Sequence, residues 1–184
     1  MVSQHYLQLT HEQRMEIRKF LKEHARFSNI TIGPPGEPGR VIHISGTIRD
    51  EKGVPLPNVT ILLFHTDAHG YYAPDDSIKK SLNEPDARLF GFVNTDANGH
   101  YSFQTVEPGN YPHAYQGRII PRHIHFEIDH PGFKHYGVQM AFEDDPSMSD
   151  QYWKDWAKNQ HYPVLSLKKV NEKWQGQNDI VLSK

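Results

Sequence analysis

The N-terminal part of the chain carries apolar residues at the three- and four-residue spacing of a helix. The residues on that face are Ile17, Phe20 and Leu21. Thr10 and Gln13 have the spacing of a capping box, in which two side chains satisfy backbone groups at the start of a helix. The pattern predicts a helix over residues 10–27 that packs on the fold or pairs two copies of the chain.

After a run of proline and glycine at residues 33–39, the pattern changes to short β-rich segments separated by Gly, Asn, Asp and Pro turns. The predicted strands are residues 41–48, 59–64, 90–95, 101–105, 123–128 and 139–142, with a terminal pair near 164–170 and 179–182. Strands spaced this closely predict a mainly β fold, an antiparallel β-sandwich. Residues 150–158, which carry two tryptophans, predict one short C-terminal helical segment.

The proline and glycine run also predicts how the chain is organised. A length of 184 residues is that of one ordinary domain. We expect residues 1–39 to form an N-terminal helix with its linker, and residues 40–184 to form one β-sandwich.

Charge and hydropathy exclude several classes of partner. The net charge is −2, which provides no field to attract a nucleic acid. The sequence has no apolar window long enough to span a membrane, and charged residues at 11–19 interrupt any signal peptide. We therefore expect a cytoplasmic protein, with a signal peptide removed earlier as the alternative.

Composition restricts the metal chemistry. The chain has no cysteine, which excludes thiolate zinc sites, iron–sulfur clusters and a cysteine nucleophile. It has 13 histidines and 9 tyrosines. Any metal ion would therefore have nitrogen and oxygen ligands.

The segment at residues 123–128, His-Ile-His-Phe-Glu-Ile, is the strongest local signal. Side chains two apart in a strand share a face, so His123, His125 and Glu127 are predicted opposite the three apolar residues. Two imidazoles about 6 to 7 Å apart along a strand can converge on one ion, although paired histidines suit zinc, copper, nickel and iron alike. The alternative is a half-exposed strand whose polar face is histidine.

Two tyrosines in tight loops point to a harder metal ion. Tyr72 follows a turn at residues 67–71, and Tyr111 follows Pro-Gly-Asn at 108–110. Deprotonating a phenol with a pKa near 10 requires a strongly Lewis-acidic centre such as ferric iron. Two phenolates and two imidazoles would suit Fe(III), whereas a single loop tyrosine is ordinarily a packing residue.

Five segments, in this order along the chain, carry a family resemblance: residues 59–72, 91–103, 108–112, 121–126 and 139–146. Together they resemble the intradiol ring-cleavage dioxygenases, most nearly the β-sandwich of the protocatechuate 3,4-dioxygenase and catechol 1,2-dioxygenase group. The resemblance implies a non-haem Fe(III) enzyme that inserts both atoms of O2 into an aromatic ortho-diol. The product would be a cis,cis-muconate-type diacid, and the commonly oligomeric state of such enzymes implies a possible homo-oligomer.

The resemblance also implies the ligands: Tyr72, Tyr111, His123 and His125. Tyr111 would in addition act as the base when the substrate displaces it. Tyr71 is the neighbouring alternative to Tyr72. Tyr115 is the rival to Tyr111, because the loop before His-x-His varies in length.

The family arginine, three residues before the first histidine, is replaced here by Ile120. Arg118 is the preferred substitute and Arg122 the second choice, since a cation would stabilise charge on the ring. Gln139 matches the glutamine that helps to polarise the bound ring.

Residues that could meet a substituent of the substrate ring are Lys79, Lys80, Arg88 and His113. Two other functions stay open from the residues alone. One is a non-catalytic transthyretin-like or carboxypeptidase-regulatory-like module, whose turns are similar. The other is a zinc or copper hydrolase that uses His123, His125 and Glu127.

Overall fold

The computed structural model of the chain describes residues 6, 9–73 and 87–184. Within these ranges two helices accompany two main β-sheets. The helices are α1 (His11–Glu23) and α2 (Gln151–Asn159), with a 3-10 turn at Pro146–Ser149 before α2. The strands are β1 (Asn29–Thr31), β2 (Val41–Asp50), β3 (Thr60–His65), β4 (Leu89–Asn94), β5 (His100–Val106), β6 (Ala114–Tyr115), β7 (Arg118–Ile119), β8 (His123–Ile128), β9 (Tyr136–Phe142), β10 (Val164–Leu165), β11 (Lys168–Val170), β12 (Lys173–Gln177) and β13 (Ile180–Leu182).

Helix α1 begins as its sequence predicts, but it ends earlier. Thr10 and Gln13 form the capping box, each side chain bonding the other residue's backbone N–H. The helix stops at Glu23 rather than near residue 27, because residues 28–31 enter the first sheet beside β5. Its apolar face stays partly exposed, with Phe20 56% accessible, while Arg14 is buried. Pairing of two copies through this face stays a prediction.

The two sheets pack face to face. The first has the order β1-β5-β2-β12-β11, with β13 also paired to β2, and the second has the order β10-β9-β8-β3-β4. Between them lies one apolar core. Its members include Ile42, Ile44 and Phe103 from the first sheet and Ile61, Leu63, Ile124 and Phe126 from the second. Alternation along β2, β3, β5 and β8 produces this core, because every second side chain points inward.

The predicted mainly β sandwich with an N-terminal helix and a short C-terminal helix is confirmed, but its sheets are mixed rather than antiparallel. The pairs β2 with β5, β3 with β4, β3 with β8 and β8 with β9 are antiparallel, and of these only β8 and β9 are joined by a short loop. Four further pairs are parallel: β1 with β5, β10 with β9, and both β12 and β13 with β2. Each of these joins segments distant in sequence, and a long connection permits parallel pairing.

The second sheet is covered on its outer face as well. One cover is an apolar cluster of Tyr6, Phe64, Tyr72, Ala73, Ala87 and Phe90, with Tyr111 packed against it. The other is helix α2, which packs Trp153 near Ala141 and Met148. Between these two covers lie the side chains of β8 that point away from the core. No described helix is both long and apolar enough to cross a membrane.

Candidate active site

The two histidines of β8 meet at their ring edges. His123 and His125 are each 6% exposed, on the face opposite Ile124 and Phe126, so the predicted alternation is confirmed. Their Nε2 atoms lie 3.2 Å apart. The alternative of a half-exposed histidine face is wrong here, because loops and helix α2 bury both histidines and leave only Glu127 of that face partly exposed.

Hydrogen bonds and stacking fix both rings. His123 Nδ1 lies 2.7 Å from the carbonyl oxygen of Pro121, which can only accept. Nδ1 therefore carries the proton, and Nε2 of the neutral ring presents its lone pair toward His125. The His125 ring stacks on Phe64 with 4.3 Å between ring centroids.

Burial keeps both imidazoles neutral. Desolvation lowers the pKa of His125 to about 2, with a further contribution from the neighbouring His123 and His65. Desolvation also lowers the pKa of His123, opposed by its bond to the Pro121 carbonyl. Neutral nitrogen donors are the form that binds metal ions.

Both predicted tyrosines reach the histidines. Tyr72 is 1% exposed, and its hydroxyl lies 2.8 Å from His125 Nε2. The hydroxyl of Tyr111 lies 3.2 Å from His123 Nε2. The two hydroxyls are 2.6 Å apart. Four donor atoms from three separate chain segments therefore meet at one point.

The loops that carry the tyrosines are locked together by their backbones. Gly109 N–H donates to the Asp67 carbonyl at 2.8 Å. Gly70 has a φ of +86°, and a Cβ built there would lie 1.9 Å from the carbonyl oxygen of Asn110. Only glycine permits this backbone contact. The Asp67 side chain closes the first loop by accepting from the amides of His69 and Tyr71.

The donor set fits ferric iron. Two phenol oxygens and two imidazole nitrogens converge in a buried space, and hard anionic oxygen donors favour a strongly Lewis-acidic ion. The structure does not support the alternative of a zinc or copper site formed by His123, His125 and Glu127. Across residues 6, 9–73 and 87–184, no three His, Cys, Asp or Glu side chains group as a metal site.

Tyr115, the rival to Tyr111, lies elsewhere. It is in the β6–β7 hairpin, 49% exposed, with its ring against Trp153. His113 stacks on Tyr111 with 5.5 Å between centroids, so it borders the cluster as a residue facing the substrate would. Lys79 and Lys80 lie outside the described residues.

The predicted arginines are all engaged in ion pairs. Arg118 bonds Asp150 at 3.0 Å and covers the Tyr152 ring, so these partners lie at the N-terminal end of α2 rather than among the four donors. Arg122 pairs with Glu107 at 3.1 Å and with Asp144 at 2.6 Å.

Arg88 pairs with Glu37. Its partner lies in the proline and glycine segment, which sequence reasoning treated only as a linker. The role of Arg88 toward a ring substituent stays a prediction.

Gln139 and Ile120 border His123. Gln139 is the register partner of His125 on β9, so its side chain leaves the sheet on the histidine face. Both residues line a narrow pocket together with His123 and Trp153. The pocket has a volume of about 10 Å³, which is roughly enough for one water molecule. The position of the family arginine is thus apolar in this chain.

Sequence reasoning missed the residues that support the four donors. Phe64 lies under His125, and Asp67 and Asn110 hold the tyrosine loops. The available signals were the alternation along β3, which places Phe64 on the outer face, and an Asp at the first position of a tight turn.

Comparison with known proteins identifies the family to which this chain belongs. A family model described as Dioxygenase matches residues 21–182. Catechol 1,2-dioxygenase 2 of Acinetobacter lwoffii is 30% identical over 141 residues, covering 70% of this chain and 48% of that protein. The chain belongs to the intradiol ring-cleavage dioxygenase family.

A second relative of this chain is the protocatechuate 3,4-dioxygenase beta chain of Burkholderia cepacia. It is 34% identical over 118 residues, which cover 62% of this chain and 50% of that protein. The chain therefore spans about half the length of these curated relatives.

Solved structures show the same fold. The dioxygenase domain of a dioxygenase and carbohydrate-binding fusion protein from Streptomyces sp. SirexAA-E has a TM-score of 0.64 at 23% identity, covering 86% of this chain and 88% of that one. Catechol 1,2-dioxygenase of Acinetobacter sp. ADP1 has a TM-score of 0.66 at 19% identity, covering 95% of this chain and 69% of that one. These similarities concern the fold of the chain.

Proposed function

We propose that this chain is a non-haem Fe(III)-dependent intradiol dioxygenase that cleaves an aromatic ortho-diol of the catechol or protocatechuate type with O2. The product is a cis,cis-muconate-type diacid. The observation that carries the proposal is the convergence of the side-chain ends of Tyr72, Tyr111, His123 and His125 within 2.6 to 3.2 Å of their neighbours in the cluster. Because these relatives are only 30% and 34% identical in sequence to this chain, we propose a chemical class of substrate rather than a named compound.

These four residues would hold the iron. Ferric iron supplies Lewis acidity and a template on which a diol and O2 come together. His123 and His125 serve as neutral nitrogen donors, because burial holds off their protons. Both tyrosines serve as oxygen donors after losing their phenolic protons.

The two tyrosines differ in solvent exposure, and we assign them different roles. Tyr72 is enclosed at 1% exposure and packs among Phe64 and Ala73. Tyr111 is only partly buried, at the edge of the same cluster. A diol entering from the open side therefore meets Tyr111 first, and the Tyr111 oxygen is the site that accepts a proton from a substrate hydroxyl.

Gln139 and Arg118 complete the proposal. The Gln139 amide, on the histidine face of β9, would donate a hydrogen bond to a substrate oxygen and polarise the ring. Arg118 would have to leave Asp150 before it could stabilise negative charge on the ring, so its part in the reaction stays a prediction.

Colour and oxygen consumption test the function together. The protein loaded with Fe(III) should absorb visible light by charge transfer from tyrosinate to iron, and it should consume O2 with catechol, protocatechuate or a hydroxylated or chlorinated catechol. The same protein loaded with zinc is the control and should be colourless and inactive. A preparation that stays colourless and inactive after ferric loading would indicate a binding module or another metal enzyme.

A further inference from the structure

One carboxylate next to the candidate iron site is fully enclosed. The side chain of Asp145, just after β9, has no exposed surface. A buried carboxylate is unfavourable unless hydrogen bonds or charges compensate for its lost hydration. The partners of Asp145 therefore show what its presence stabilises.

Three N–H groups donate to this carboxylate. Asn110 Nδ2 donates to Oδ2 at 2.9 Å, and the backbone N–H of Arg122 donates to the same oxygen at 2.7 Å. The backbone N–H of Ser147 donates to Oδ1 at 2.8 Å. The carboxylate thus joins three chain segments that are separate in sequence.

Two of those donors adjoin proposed iron ligands. Asn110 immediately precedes Tyr111, and Arg122 immediately precedes His123. The Asn110 amide also donates to the carbonyl of Ile120 at 2.9 Å, which ties the same two segments a second time. Tyr111 lies in a loop and His123 begins β8, so this link connects the two chain segments that carry these ligands.

We propose that Asp145 is a positioning residue: by accepting from Asn110 and from the Arg122 backbone, it holds Tyr111 and His123 close enough to bind one metal ion. The proposal rests on the proposed function, because its role is to present two of the four iron ligands. Supporting residues beyond the ligands commonly affect metal affinity by about 10- to 100-fold.

The geometry requires a carboxylate at this position. All three partners are N–H donors, so both Asp145 oxygens must accept. An asparagine would turn one of its two polar atoms into a donor facing a donor, which breaks either the Ser147 bond or the link to Asn110 and Arg122.

The preceding residue provides a matched control. Asp144 is 44% exposed, and it contacts the side chains of Arg40 and Arg122 rather than a backbone amide. Asp144→Asn and Asp145→Asn remove the same charge from adjacent positions. Only the second substitution disturbs the link between the Tyr111 loop and the start of β8.

The experiment compares wild type, Asp144→Asn and Asp145→Asn in two ways. The first is Fe(III) affinity together with the position and intensity of the tyrosinate charge-transfer band. The second is hydrogen exchange, by mass spectrometry, of the iron-free proteins over residues 108–113 and 120–124. We expect Asp145→Asn to bind Fe(III) about 10- to 100-fold more weakly, with a shifted band and faster exchange in both segments. Asp144→Asn should match wild type.

Each outcome decides a different question. Equal bands, affinities and exchange in all three proteins would overturn the positioning role. A wild type that binds no iron would overturn the proposed function, and exchange in the iron-free proteins would then decide the positioning role alone. If Asp145→Asn does not fold, Asn110→Ala removes the amide while leaving the bond from Arg122, and the same band and exchange criteria apply.

Discussion

The two sheets of the sandwich share one core but differ on their outer faces. In the first sheet, outward side chains such as His43 and Ser45 of β2 and Ser102 and Gln104 of β5 are polar and at least partly exposed. In the second sheet, the outward side chains of β8 are also polar, yet His123 and His125 are 6% exposed. A buried polar residue is more informative than an exposed one, because its burial must be compensated.

The structures around the two outer faces explain the difference. The first sheet leaves several of its outer polar side chains in contact with water. The second sheet has tyrosine loops and helix α2 on its outer face, and these exclude water from the histidines. The same strand alternation therefore yields an ordinary surface on one side of the molecule and a candidate reaction site on the other.

The largest difference should appear when one outward histidine of each sheet is replaced by alanine. His125→Ala removes a nitrogen donor from the covered face, so we expect loss of bound iron and of the visible band. His43→Ala removes an outward histidine of the first sheet and should change neither. Iron content per protein and the absorption spectrum are the measurements. Retention of iron by His125→Ala would show that the second sheet's outer face is not the metal site.

The next effect distinguishes two tyrosines on the same side of the molecule. Tyr111→Phe removes an oxygen donor 3.2 Å from His123, so the charge-transfer band should weaken strongly and shift. Tyr115→Phe alters an exposed hairpin residue and should leave colour and oxygen consumption largely intact. If the colour instead disappears in Tyr115→Phe and persists in Tyr111→Phe, the ligand assignment is wrong.

A smaller effect, on the free energy of unfolding, should come from replacing by alanine two glycines that have similar backbone angles, one in each region. Gly70 and Gly53 have φ values of +86° and +81°, but a Cβ at Gly53 would meet nothing within 4 Å. Gly53→Ala should lose about 1 to 2 kcal/mol of unfolding free energy from backbone strain alone. Gly70→Ala should lose roughly 3 kcal/mol or more, since its Cβ also meets the Asn110 carbonyl.

Urea unfolding measures both losses, and iron content shows whether the tyrosine loops have separated. Equal losses for the two substitutions would mean that the loops adjust to the added methyl group without cost.

The smallest effect concerns His65, which bridges the two sheets. It is fully buried, with its ring nitrogens 2.7 Å from the Thr66 carbonyl and from Thr105 Oγ1. Desolvation lowers its pKa to about 4. Below pH 6.5 the unfolded chain takes up a proton at this residue and the folded chain does not, so stability falls as the pH decreases from 6.5 toward 4.

The contribution of one such histidine is about 1.4 kcal/mol per pH unit in that window. Urea unfolding of the iron-free protein at pH 7, 6 and 5 measures the slope. His65→Gln should unfold with a shallower dependence on pH, and an unchanged slope would mean that His65 is protonated in the folded protein.

Local features of the fold were predictable from the sequence. The capping box at Thr10 and the alternation along β8 depend on neighbouring residues, and both are present as predicted. Strand β12 was not predicted, because Lys-Trp-Gln-Gly-Gln has only one large apolar residue. Its pairing with β2 is a tertiary preference that local pattern cannot express.

The candidate site shows the same division. Its four donors could be named because each lies in a short motif, and the structure brings them together. The partner of Arg118 could not be foreseen, since Asp150 reaches it only when helix α2 docks beside the β6–β7 hairpin. Which cation faces a site depends on this docking rather than on distance along the chain.

Strand β2 has a consequence for how the molecule is made. Two of its partners, β12 and β13, follow every residue of the proposed site, and the bond from Thr47 N–H to Asp179 spans 132 residues. Pairings this distant in sequence require costly loop closure and slow folding. The histidine strand is therefore synthesised before β12 and β13, the two strands that complete the opposite sheet.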